Sequence, residues 1–205
     1  MHIRYIIISI LMLLFTIDNI HARKLKNCLD LENYIKNAHY FYFGVDFPYW
    51  YSISQAQKES NCRHNITSLD GIGSEGFAQI TYRWWKSKLD QQNIPEIRSL
   101  HNHARAQAYI NYEGYKNSRC KKLFEMYQIY NGGYLVSREL ARANSCNWED
   151  GFKACNRKDI CVWQTKDGCK QWRNACDINY SYSLKIYELG QLYSRGLKST
   201  KYQYW

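Results

Sequence analysis

The sequence predicts a mainly α-helical fold stapled by disulfides. Three observations point there. Only 2 prolines and 11 glycines occur in 205 residues, too few for the frequent turns of a β-sandwich. Apolar residues recur at helical spacing in several stretches. Eight cysteines, an even number, follow a segment with the features of an export signal. With 45% hydrophobic residues, the chain can build one core of ordinary size.

The elements follow in order. His2 and Arg4 make a short basic start, and Tyr5 to Ile17 is almost wholly apolar. Ile20-His21-Ala22 then offers a small-residue cleavage site, so residues 1–22 read as a signal peptide and 23–205 as the mature domain. The apolar stretch is short for a membrane span. The expected location is outside the cytoplasm, periplasmic or extracellular. Asp46 to Ser60 reads as a helix, with Asp46 as its cap and Pro48 in its first turn. Trp50, Ile53 and Ala56 share one face of it. Ser60 to Ser74 is polar, carries Gly71 and Gly73, and reads as a loop.

Gly76 to Ser87 reads as the start of another helix. Another runs from Pro95 to Tyr115 through Ile97, Leu100, Ala104, Ala108 and Tyr112. A third spans Cys120 to Tyr130 and stops at Asn131-Gly132-Gly133, where glycine accepts positive φ. Asn144 to Asp177 holds five of the eight cysteines and three tryptophans, and reads as a stapled insertion with little regular structure. Tyr180 to Tyr193 is the last expected helix. The spacing of the cysteines does not choose among their possible pairings. No Cys-x-x-Cys occurs, so neither a metal nor a cofactor is expected.

The formal net charge is +10, and Arg4 and Asp18 cancel within the expected signal, so the mature chain keeps it. An acidic polymer suits such a surface. No nucleic-acid-binding signature accompanies the charge, so nucleic acid is not an expected partner. An anionic cell-wall glycan fits both the charge and the export signal.

Three short motifs carry the chemistry. Glu59-Ser60 ends the first expected helix. Gly76-Phe77-Ala78-Gln79-Ile80 follows after a loop, and Tyr130-Asn131-Gly132-Gly133 comes later. In this order they resemble the signatures of lytic transglycosylases, the goose-lysozyme-like enzymes that cut bacterial peptidoglycan. The resemblance covers Asp46 to Leu189 apart from the cysteine-rich insertion. It implies a lysozyme-like helical domain with a glycan cleft. It also implies cleavage between N-acetylmuramic acid and N-acetylglucosamine, leaving a 1,6-anhydro sugar.

By the same resemblance Glu59 is the catalytic acid. Ser60, Gly76, Phe77, Ala78, Gln79, Tyr130, Asn131 and Tyr182 belong to the substrate-binding surroundings. The expected partners are peptidoglycan strands and a secretion, conjugation or phage-entry apparatus of the cell envelope. The chain departs from the family pattern in a slightly longer Glu59-to-Gln79 loop, in Ala78 where methionine is common, and in Gly133 in place of alanine.

Plainer readings stand beside these. A glutamate is ordinarily a surface charge. As a general acid, Glu59 needs a pKa above the ordinary value, from the helix C-terminus or from aromatic enclosure. Asp70, Glu75 and Asp90 are the candidates for a second carboxylate, which a hydrolase would need. Glu75 reads as a solvated loop charge. Gln79 by itself reads as a capping amide, and Tyr130 and Tyr182 as core residues. Trp84 and Trp85 could stack on sugars. His39, His64, His101 and His103 read as surface residues. The alternatives to a transglycosylase are a hydrolytic lysozyme and an inactive peptidoglycan-binding assembly protein.

Overall fold

The structure is a computed structural model that describes residues 28–68 and 71–205. The expected signal peptide and Asp70 lie outside the described residues. Among them are eight helices: α1 (Glu32–Phe43), α2 (Trp50–Ser60), α3 (Tyr82–Gln91), α4 (Leu100–Asn117), α5 (Leu123–Gly132), α6 (Leu135–Arg142), α7 (Trp148–Ala154) and α8 (Ala175–Ser194). One antiparallel hairpin joins β1 (Asp159–Thr165) to β2 (Gly168–Asn174). The mainly helical expectation holds. No described helix is long and apolar enough to cross a membrane.

α2 is the central helix. Every residue from Trp50 to Ala56 is buried, the polar Ser52, Ser54 and Gln55 among them, so this part of the helix is enclosed on all sides. It packs along α8, while α1 lies against α4 and α5 against α8. The α2–α8 contact is close because of Gly190: a Cβ there would sit 2.2 Å from the Tyr51 ring. One continuous cluster of buried side chains runs from Cys28 to Tyr204.

Part of this core is polar and hydrogen-bonded internally, except for Gln107 Oε1, which has no partner among the described residues. Gln55 Oε1 accepts from Gln107 Nε2 and Asn111 Nδ2, both at 2.9 Å. Asn111 reaches His39 Nε2 at 3.2 Å, and His39 Nδ1 bonds the Ile35 carbonyl at 2.8 Å. His39 is thus fully buried, against the expectation of a surface residue. Burial holds its imidazole down to about 4, so it is neutral at ordinary pH.

All five expected helices have shifted ends, and α8 begins at Ala175 rather than at Tyr180. α2 begins at Trp50 with no side-chain cap. Asp46 instead receives the Lys201 backbone N–H at 2.8 Å and the Ser199 hydroxyl at 3.2 Å, which ties down the C-terminal tail. Gly76 to Ile80 is a closed turn rather than a helix start, because Glu75 and Ile80 exchange backbone hydrogen bonds. α4 starts five residues after Pro95, where the Ser99 hydroxyl accepts the Asn102 N–H. α5 starts at Leu123. The tail carbonyls of Gln203 and Tyr204 take the N–H groups of Leu123 and Phe124, so distant chain does the work of a cap.

The four disulfides are Cys28–Cys62, Cys120–Cys146, Cys155–Cys176 and Cys161–Cys169. Asn144 to Asp177 is more regular than expected. Asn147 caps α7 by accepting the N–H groups of Glu149 and Asp150, and the hairpin follows. Lys166-Asp167 forms its two-residue turn between the paired Thr165 and Gly168, and Gly168 takes φ 103° as β2 begins. Strand alternation is absent from the sequence there because most residues on both strands face solvent.

Candidate active site

Glu59 lies in the last turn of α2, which the left-handed residues Asn61 and Cys62 end. α8 brings Tyr182 to it across 123 residues of sequence, and the Tyr182 hydroxyl donates to Glu59 Oε1. Lys58 Nζ stands 5.8 Å from the Tyr182 ring centroid. Tyr130, in α5, is close enough for the Glu59 charge to raise its phenol further.

Burial pushes the Glu59 carboxyl up to about 7, against the smaller downward pulls of the Tyr182 hydrogen bond and Lys58. The same enclosure holds the phenols of Tyr182 and Tyr130 well above their usual value, so both act as neutral donors. Burial is therefore the source of the shift that a general acid needs.

The Gly76–Ile80 turn faces the end of α2 and is fixed at several points. Ser60 Oγ donates to the Phe77 carbonyl at 2.9 Å. The Tyr130 hydroxyl donates to the Ala78 carbonyl at 2.6 Å. The Ala78 N–H reaches His103 Nε2 at 3.2 Å, and Gln79 Nε2 donates to the Gly76 carbonyl at 2.9 Å. Gly76 takes φ +68°, and a Cβ on it would lie 2.2 Å from the His103 ring. Only glycine meets both conditions. Gln79 also holds a left-handed φ of 49°, uncommon for a residue with a side chain.

Glu59, Ser60, the turn, Tyr130 and Tyr182 thus come together. Their roles differ. Ser60 and Tyr130 hold backbone, and Gln79 braces its own turn. The Phe77 and Ala78 side chains are fully buried, so this part of the turn offers backbone to its surroundings. Asn131 is exposed and donates to Asn179 Oδ1 at 3.0 Å, at the end of α5 next to Tyr130. Trp84 is 65% exposed on α3.

Asp90 pairs with Lys86 at 2.6 Å. Glu75 lines a cavity of about 250 Å3 with His64, Ile97 and Arg98, of which Glu59 is not part. A cavity of about 730 Å3 lies between Lys122, Trp148 and Trp205, also without Glu59. Chemistry rather than cavity size therefore singles out the Glu59 cluster.

Sequence reasoning missed His103, assigned above to the surface. It is fully buried, and its Nδ1 bonds the Ile97 carbonyl at 2.9 Å, leaving Nε2 to accept from Ala78. Burial lowers its imidazole to about 4, which keeps that acceptor available. The signal was its spacing with Gln107 and Ile110 on the inner face of α4.

Among the described residues, one group of possible metal ligands converges, Glu139 with Cys155 and Cys176, and both sulfurs are spent in a disulfide. Comparison of the chain with protein-family models, curated proteins and solved structures finds no match.

Proposed function

We propose that the protein is an exported peptidoglycan lytic transglycosylase with a lysozyme-like domain. The observation that carries this reading is the Glu59 carboxyl: pushed up to about 7, it is hydrogen-bonded by Tyr182 beside a rigid backbone turn. The resemblance of Glu59-Ser60, Gly76-Phe77-Ala78-Gln79-Ile80 and Tyr130-Asn131-Gly132-Gly133 to the family signatures adds the substrate class.

Protonated Glu59 donates its proton to the glycosidic oxygen as the bond to C1 of muramic acid breaks. The resulting carboxylate then takes the proton of the C6 hydroxyl as that oxygen attacks C1. The 1,6-anhydro ring closes and no water enters. Tyr182 steadies the carboxylate between the two steps. One acid acting with an internal sugar nucleophile needs no second carboxylate, unlike a two-carboxylate hydrolase.

Mass spectrometry of products from purified sacculi tests the reading. Anhydromuramyl ends, each lighter by one water than a reducing end, are expected, together with a loss of about 100-fold or more in Glu59→Gln. Reducing ends would establish a hydrolytic lysozyme instead. No cleavage, with glycan binding unchanged by Glu59→Gln, would establish a binding protein.

A further inference from the structure

The cysteine-rich segment builds one wall of a second compartment. A cavity of about 410 Å3 lies between the end of α5 and α6 on one side, and β1, the Cys155–Cys176 disulfide and the start of α8 on the other. It adjoins the candidate site. Asn131, in its lining, directly follows Tyr130, and Asn179, also in its lining, stands one helical turn before Tyr182.

The lining divides by chemistry. Leu135, Ile160 and Ile178 supply apolar surface, and Asn156 supplies an exposed amide. Arg142 and Lys158 put two cations at its edge, both exposed and neither in an ion pair among the described residues. Glu139 also lines it, buried and accepting the Tyr180 hydroxyl at 2.8 Å. Two cations against one carboxylate leave a net lining charge of +1. A neutral sugar has no use for paired cations. A short peptide ending in carboxylates uses all three surfaces: methyl groups on the apolar residues, peptide groups on the amides, and carboxylates on the cations through charge-assisted hydrogen bonds.

We propose that the cavity between α6 and the β1–β2 hairpin binds the short acidic peptide carried by cell-wall glycan strands, with Arg142 and Lys158 reading its carboxylates. The insertion then makes the protein prefer peptide-bearing strands over stripped ones. This inference rests on the glycan-cleaving reading above.

The test compares intact strands with strands stripped by an amidase, using wild type and Arg142→Ala/Lys158→Ala. The expected result for the double variant is a KM raised roughly tenfold on intact strands with kcat unchanged, and unaltered cleavage of stripped strands. In parallel, the free stem tetrapeptide is titrated calorimetrically into Glu59→Gln with and without the two alanines. Binding that disappears with the alanines supports the proposal. Equal behaviour of wild type and double variant, an equal loss on both substrates, or no tetrapeptide binding at all would overturn it. If wild type cleaves neither substrate, the glycan-cleaving reading fails, while the tetrapeptide titration still decides whether the cavity takes an acidic peptide.

Discussion

The Gly76–Ile80 turn and the β1–β2 hairpin are both short and both tightly bent, yet they are held in different ways. The turn is enclosed: Ser60 of α2, His103 of α4 and Tyr130 of α5 each bond its backbone. The hairpin stands out from the body, with Trp163 60% and Trp172 62% exposed, and Cys161–Cys169 closes it covalently. A segment beside a half-buried acid can be fixed by hydrogen bonds, because low dielectric strengthens them. A peripheral segment with little core of its own gains order from a staple instead.

Gly76→Ala attacks the enclosed region at its most constrained point. The methyl must displace the His103 ring and the backbone must keep φ +68°. A destabilisation of about 3 kcal/mol is expected by denaturant titration, with glycan cleavage lost in parallel. A neutral outcome would mean that the turn is not fixed from three sides.

The half-buried acid gives the next effect. Its folded pKa is raised from 4.5 to about 7, so folding favours the protonated form. That contribution is fully present below pH 4.5 and is lost as pH rises through about 7. Glu59→Gln, which cannot ionise, should therefore gain stability relative to wild type by about 3 kcal/mol between pH 4 and pH 8. Urea unfolding at the two pH values checks this.

Cys161→Ser/Cys169→Ser probes the other region. Its cost in global stability is expected below about 1 kcal/mol, since the loop is short and peripheral. Limited proteolysis should cut the hairpin faster while the helical body survives. The smallest effect falls on Tyr182→Phe. The Tyr182 hydrogen bond lowers the Glu59 pKa, so its removal should move the alkaline limb of the cleavage profile to higher pH.

The same contrast explains what was legible in the sequence. The helices with an inner face, α2, α4, α5 and α8, left a period that sequence shows. Their ends did not, because tail carbonyls cap α5 and Asp46 holds the tail rather than α2. α1 and α6 were missed although Ile35, Ala38 and Phe43 in one and Val136 and Leu140 in the other give each an inner face. α7 and the hairpin were missed although Asn147 and Gly168 marked them, since exposed elements lack an apolar rhythm. Glu59, the turn and Tyr130 were recognisable as motifs, and a weaker match pointed to Tyr182. The buried His103 under the turn was not recognised as part of the site: its spacing with Gln107 and Ile110 places it on an inner helix face, but its bond to the turn follows only from the fold.

Direct titration of the Glu59 side-chain carboxyl by carbon NMR, assigned by comparison with Glu59→Gln, tests the central claim. A midpoint near 7 is the expected result. A midpoint near 4.5 would mean that the carboxyl is solvated and ionised at neutral pH, and Glu59 would then have no proton to give.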